Sequence, residues 1–382
     1  MIPRALFSFE HDQFRETVRR FIEREIVPHH TRWEEQGQVD REIWTKAGTA
    51  GLLCPNVPEA YGGLGADYLF NVVVTEELAR AGITGPGFAV HSDMVATYLA
   101  AFGTEEQKSR WLPQMVSGEV VGALGFTEPS AGSDLKEIRT RAIRQGDEYV
   151  ISGQKVYISN GQLCDLIVLA CKTDPEAGAK GMSFLLVESD RPGFRRGRKL
   201  QKIGLKAQDT SELFFEDVRV PAQNLLGREG GAFSMALSKL ADERLSIAIS
   251  AITVVETVLQ WTIDYTRQRK AFGRRISDFQ NTRFKLAELH AEALAKRVFV
   301  DRCIELHLRQ QLTSVDAAAV KMLCTELQCK AVDECLQFFG GYGYMLEYPI
   351  ARAYIDARVR RIAGGSSEIM HEIIGRDLFA DA

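Results

Sequence analysis

Glu243, in Lys239-Leu240-Ala241-Asp242-Glu243-Arg244-Leu245, is a carboxylate set among apolar neighbours. On a helix starting near Gly230 it shares a face with Ala236, Leu240, Ile247 and Val254 at 3.6-residue spacing. A carboxyl there is partly desolvated and its pKa rises, which suits a general base. Asp242 points about 100° away around the helix and is the poorer candidate. The competing reading is that Glu243 merely pairs with Arg244 or a lysine at the surface.

Three further segments carry chemistry. Phe126-Thr127-Glu128-Pro129-Ser130-Ala131-Gly132-Ser133-Asp134 is a loop by composition. Its small residues, hydroxyls and backbone amides can bind a planar heterocycle and a phosphate, although many turns look alike. Arg267-Gln268-Arg269-Lys270-Ala271-Phe272-Gly273 offers an arginine fork of the kind that pairs with a pyrophosphate; read alone, it is a solvated basic face. The glycines of Gln337-Phe338-Phe339-Gly340-Gly341-Tyr342-Gly343-Tyr344 allow close backbone approach to a nucleotide. No Gly-x-Gly-x-x-Gly follows a strand, so a Rossmann dinucleotide site is not supported.

These segments must be held by a large scaffold. The chain has 382 residues, enough for two or three domains. At 45% apolar and 26% charged it reads as an ordinary globular protein. A net charge of −4 argues against a nucleic-acid partner. No uninterrupted apolar run approaches the ~18 residues of a membrane span. The N-terminus meets charge too early for a signal peptide and lacks transit-peptide character, which points to a bacterial cytoplasm, or to the mitochondrial matrix once a transit peptide is removed. The seven cysteines (54, 164, 171, 303, 324, 329, 335) form no Cys-x-x-Cys pair and read as reduced; the seven scattered histidines give no metal site.

The order of elements is helices, strands, helices. Helices are expected from Asp12, over Leu69 to Ala81 and over Val90 to Phe102, with a turn at Pro58–Gly63. Strands are expected at 148–159, 166–170, 182–187 and 212–218, where β-branched and aromatic residues concentrate. Neither proline nor glycine occurs from Arg274 to Phe339, which predicts long helices packed as a bundle. Ile276, Phe279, Phe284, Leu286, Leu289, Ala293 and Leu294 would face its core.

Together Thr127-Glu128-Pro129-Ser130-Ala131-Gly132-Ser133-Asp134, Lys155-Val156-Tyr157-Ile158-Ser159-Asn160-Gly161, the Arg269 and Gly340 segments, and Ile362-Ala363-Gly364-Gly365-Ser366-Ser367-Glu368-Ile369 resemble the acyl-CoA dehydrogenase family over nearly the whole chain. Two stretches, 197–210 and 347–358, are similar to its long-chain branch. The resemblance implies an α+β, mainly α fold: an N-terminal helical domain (1–120), a middle β-barrel-like domain (121–228) and a C-terminal four-helix bundle (229–382). It implies FAD, held by Phe126, Thr127, Gly132, Ser133, Tyr157, Ile158 and Ser159. Arg269, Phe272, Gln280, Gln337, Gly340 and Gly341 would reach the FAD of a neighbouring subunit, and Ser366 and Glu368 would complete the contacts.

In most of the family a catalytic glutamate stands where this chain has Gly364, which cannot take a proton. The resemblance therefore moves the base to Glu243, as in the long-chain and isovaleryl branches. Ser133, Arg244 and the Gly364 amide would meet the acyl-CoA, and Val90, Met94 and Tyr98 would line the far end of its pocket. The basic run Arg195, Arg196, Arg198, Lys199 and Lys202 could meet CoA phosphates, a solvated loop being the simpler reading. The implied activity is α,β-dehydrogenation of long- to medium-chain acyl-CoA to trans-2-enoyl-CoA, with electrons passing to an electron-transferring flavoprotein and a homotetramer (a dimer of dimers) as the assembly. The alternatives are a branched-chain (isovaleryl- or citronellyl-type) dehydrogenase, an oxidase, and a flavin-binding protein of the same fold without this activity.

Overall fold

A computed structural model describes residues 2–380; Met1, Asp381 and Ala382, at the ends of the expected first and third domains, lie outside them. The N-terminal third is helical: α1 (Phe9–Phe21), α2 (Val27–Gln36), α3 (Glu42–Thr49), α4 (Tyr68–Arg80), α5 (Ala96–Phe102) and α6 (Glu105–Ser117). Residues Ile22–Ile26 join α1 to α2 in a widened π turn, and Val90–Val95 lead into α5 in another. Local chemistry sets the ends. Thr104 and Gln107 form a reciprocal cap at the start of α6, and Gly118 closes it in the left-handed conformation.

The middle segment is one eight-stranded sheet. Its strands are β1 (Gly122–Gly125), β2 (Arg141–Gln145), β3 (Glu148–Ser159), β4 (Leu166–Lys172), β5 (Met182–Glu188), β6 (Phe194–Lys199), β7 (Thr210–Pro221) and β8 (Leu225–Leu226). They run in the order β6-β7-β3-β2-β4-β5-β8, with β1 parallel to β4. Period-two alternation is plain in β4. Leu166, Val168 and Ala170 pack on the N-terminal helices, while Ile167, Leu169 and Cys171 meet Tyr149, Ile151, Leu213 and Phe215 from β3 and β7. The sheet thus curls over a core of its own, as a barrel-like domain requires.

The C-terminal part holds α7 (Ala232–Gln268), a short hairpin of β9 (Lys270–Ala271) and β10 (Arg274–Arg275), α8 (Gln280–Leu308), α9 (Ser314–Phe339), α10 (Pro349–Ala357) and α11 (Ser367–Leu378). Three long helices pack together, with α10 and α11 laid against α9. α7 is long and apolar enough to cross a membrane, but most of its apolar stretch is buried in this core, as in the central helix of a bundle. The expected apolar stripe of the second long helix needs correction. Ile276 lies in a turn before α8, and Phe284 is exposed; Leu289 and Ala293 are buried. The expected loop at Arg195–Lys199 is instead strand β6 at the sheet edge. There Arg195 pairs with Glu216, Arg196 donates to Cys164 O and Lys199 to Gln36 O. Charged side chains on an edge strand discourage pairing with another chain.

Candidate active site

Glu243 sits in the first third of α7, buried at 6% exposure, with no ion pair among the described residues. Its neighbours in sequence are spent elsewhere. Asp242 lies 3.3 Å from His307 and from Lys239, and Arg244 Nη1 donates to Ser314 Oγ at 3.2 Å. Glu243 keeps one side-chain contact, the Tyr98 hydroxyl at 3.5 Å from Oε1, long for an O–H···O bond. Burial pushes the Glu243 carboxyl up to about 7; Asp242 adds to the rise, and Arg244 and the Tyr98 hydroxyl oppose it. A carboxyl poised near neutrality is matched to proton transfer at neutral pH. The alternative of a surface ion pair does not describe it.

Tyr98 corrects an expectation. It stands against the carboxylate, fully buried, not at the far end of a pocket. Met94 and Val90, one and two turns earlier, do line a cavity, together with Ile247 and Ser250 of α7. Arg244 is likewise interior, and its Nε has no hydrogen-bond partner among the described residues.

Gly364 lies over this site at φ +67. A Cβ there would stand 2.5 Å from Ile247 Cδ1, the residue one turn beyond Glu243. A side chain at this position is thus disfavoured in two ways: the backbone is left-handed, and Ile247 fills the side chain's space. The Gly364 N–H makes no hydrogen bond among the described residues, so it is free to donate to a ligand. Lys321, buried on α9, holds the loop from behind by donating to Gly365 O at 2.6 Å.

The 126–133 loop joins the same site. Phe126 packs edge-on to Tyr98 with centroids 6.2 Å apart, and Val156 N donates to Thr127 O at 2.9 Å, tying the loop to β3. Two residues within the quoted motifs, given no role from sequence, do the fastening. Glu128 accepts from Lys155 Nζ at 2.7 Å, from Arg139 N at 2.6 Å and from Thr140 N at 3.0 Å, and Lys155 also donates to Phe126 O. Burial opposes ionisation of Glu128, but Lys155 and the amides outweigh it and hold the carboxyl below its ordinary value. In the sequence the two charges stand 27 residues apart in separate motifs, with nothing to mark them as partners.

The surface so formed fits a planar, phosphate-bearing cofactor. Tyr157 is held at φ +61 with 68% of its surface exposed, a costly placement for an aromatic residue unless something covers it. Gly132 has open space where a Cβ would stand, and the amides of Gly132 and Ser133 have no partner among the described residues. Ser159 is half-buried on the same strand. Ile158 sends its side chain into the sheet core, leaving only its backbone for a ligand.

A second group gathers at the far end of the bundle. Arg269 lies 5.9 Å from the Tyr342 ring, and Tyr265 stacks on Phe339 at 4.2 Å, so the Arg269 arm and the Gln337–Gly341 segment adjoin. Gln280, Gln337, Gly340 and Gly341 are exposed there. Phe272 is set apart from this group. It is 95% exposed at φ +53 and touches Phe279 edge-on. No contact among the described residues links this group to the Glu243 site. Ser366 caps α11, accepting from Ile369 N, and Glu368 is exposed on its first turn. A roomier cavity of about 380 Å³, between Pro3–Leu6 and helices α7 and α8, includes none of these residues.

The chain matches family models over most of its length: acyl-CoA dehydrogenase N-terminal domain at residues 8–119, middle domain at 123–218 and C-terminal domain at 230–379. It is 49% identical over 381 residues to the mitochondrial long-chain specific acyl-CoA dehydrogenase of Mus musculus, covering 99% of this chain and 89% of that one. Identity to the mitochondrial isovaleryl-CoA dehydrogenase of Pongo abelii is 35% over 379 residues, covering 98% and 90%. A crystal structure of an acyl-CoA dehydrogenase from Geobacillus kaustophilus superposes with a TM-score of 0.97 at 48% identity, covering 99% of this chain and 100% of that one.

Proposed function

This chain belongs to the acyl-CoA dehydrogenase family of FAD-dependent oxidoreductases, and from that premise we propose that it desaturates straight long- to medium-chain acyl-CoA to trans-2-enoyl-CoA with Glu243 as the base. The observation that carries the proposal is a buried carboxylate without an ion pair, raised to about 7, beneath a glycine whose side-chain space is already filled. A Glu243 oxygen takes the α proton of the thioester. The free Gly364 N–H donates to the thioester carbonyl, which makes that proton more acidic. Tyr98, Ile247 and Phe126 keep water from the carboxylate. Bound FAD supplies the acceptor for the β hydride. Thr127, Gly132, Ser133, Tyr157 and Ser159 hold it on one face; Arg269, with Gly340 and Gly341, serves the FAD of a second copy in a dimer of dimers. Electrons then pass to an electron-transferring flavoprotein.

The long-chain assignment is favoured by the higher identity to the long-chain enzyme, 49% against 35% for the isovaleryl enzyme. A branched-chain substrate is the second reading, because the isovaleryl relatives also match nearly the whole chain. Glu243→Gln keeps the carboxylate's shape and removes its basicity. The purified variant is expected to stay yellow and to lose at least ~100-fold in anaerobic flavin reduction by acyl-CoA; an undiminished rate would eliminate Glu243 as the base. Comparing reduction rates across straight and branched thioesters decides between the two substrate readings.

A further inference from the structure

The cavity beyond Glu243 contains a cation for which a hydrocarbon tail has no use. It measures about 120 Å³ and lies between α4, the Val90–Val95 turn and α7. Both facing helices lead into it from the carboxylate. On α7, Ile247 and Ser250 follow Glu243 by one and two turns; on the opposite helix, Met94 and Val90 precede Tyr98 by one and two turns. At 1.5 Å per residue, Ser250 stands about 10 Å along the axis from Glu243.

Arg360 closes this end, from the turn that follows α10. Its Nη2 donates to Ser250 Oγ at 3.4 Å, a weak bond, and no carboxylate among the described residues comes within 4.0 Å of its guanidinium. The charge of Asp356, one turn earlier, favours the cation, but both Asp356 oxygens are engaged, one by Leu205 N at 2.5 Å and the other by Thr84 Oγ1 at 3.2 Å. Asp93 lines the opposite wall, and its oxygens are engaged too, by Asn71 Nδ2 at 2.8 Å and Ser246 Oγ at 2.9 Å. Lys321 and Arg361, on the neighbouring elements, add positive potential. A methyl terminus here would strip water from a guanidinium and give nothing in return. A carboxylate would meet it in two parallel charge-assisted hydrogen bonds.

We propose that Arg360 is a specificity-determining residue that receives a carboxylate at the far end of the acyl chain, so that the enzyme favours ω-carboxy acyl-CoA over the unsubstituted chain. The inference rests on the reading above that the thioester lies at Glu243. The axial distance puts the terminus roughly eight carbon–carbon bonds beyond the α carbon, the length of the mono-CoA thioester of decanedioic acid.

The FAD-loaded enzyme is titrated calorimetrically with trans-2-decenoyl-CoA and with its ω-carboxy counterpart, neither of which turns over. The carboxylated ligand should bind roughly tenfold tighter or more, and Arg360→Met should abolish that preference while retaining the alkyl ligand. Equal or weaker binding of the carboxylated ligand to the wild type overturns the proposal without recourse to any variant, as does a preference that survives Arg360→Met. Anaerobic reduction by the two saturated thioesters is measured alongside. A retained binding preference with no reduction by either substrate counts against the dehydrogenase reading alone.

Discussion

Burial takes Glu243 out of water, and the nearby Arg244 charge offsets this only in part, so the proton is held more tightly than an ordinary glutamate would hold it. Two pH effects of definite sign follow from a carboxyl raised to about 7. As a base it must be ionised, so kcat/KM for acyl-CoA should rise with pH through about 7 and fall about tenfold per pH unit below it. For stability, the folded state binds this proton more tightly than the unfolded chain. The contribution of Glu243 is therefore fully present below the ordinary glutamate range and is lost as pH rises through about 7. Glu243→Gln should flatten both, read as the pH profile of flavin reduction and as the change in Tm between about pH 5 and pH 8. A variant whose Tm kept the wild-type pH dependence would place the titrating group elsewhere. At this scale a helix face and the glycine at Gly364 singled out Glu243 as the candidate base, and its carboxyl is buried as that face implied. The sequence did not indicate Tyr98 as the neighbour of Glu243 or Glu128 as the partner of Lys155, which lie 145 and 27 residues from the groups they touch. Contacts of that separation are made by topology, and periodicity carries no trace of them.

Elements were legible where composition alone decides them. The aromatic and β-branched run of β3 and the proline-free stretch of α8 and α9 read correctly to within a few residues. β1, with sequence Gly-Ala-Leu-Gly, and β6, with four basic residues in six, did not, because each is a strand only by virtue of its pairing, with β4 and β7 respectively. The 126–133 loop depends on such pairing as well. Its Glu128 is anchored to β3 by Lys155 and to the approach of β2 by the Arg139 and Thr140 amides. Removing one partner leaves the other charge buried and uncompensated, at a cost of about 3–5 kcal/mol. Lys155→Met should therefore lower Tm markedly and shed FAD as the loop loosens. A double variant, Glu128→Gln with Lys155→Met, should recover much of the stability, since no charge is then stranded. If Lys155→Met melted like the wild type, the pair would not be what fastens the loop.

The whole molecule presents two separated groups of candidate FAD contacts, and their separation bears on assembly. The loop and strand residues around Tyr157 face one side of the sheet domain, whereas Arg269, Gly340 and Gly341 gather at the end of the bundle with the exposed ring of Tyr342. An exposed tyrosine ring beside an arginine that has no ion pair among the described residues is unfavourable in an isolated subunit and favourable at an interface. If Arg269 reaches the FAD of a second copy, each site is composite, and subunits with different defects can complement one another. Arg269→Ala and Lys155→Met should each retain FAD poorly when purified alone. In a hybrid dimer the Arg269→Ala subunit supplies an intact loop and the Lys155→Met subunit supplies an intact arginine, which restores one site of two. After dissociation and random reassociation half of the dimers are hybrid, so about a quarter of the sites should refill, measured as bound FAD per subunit after gel filtration. Hybrids that form, shown by mass, yet remain colourless would mean that Arg269 serves its own subunit's flavin or none.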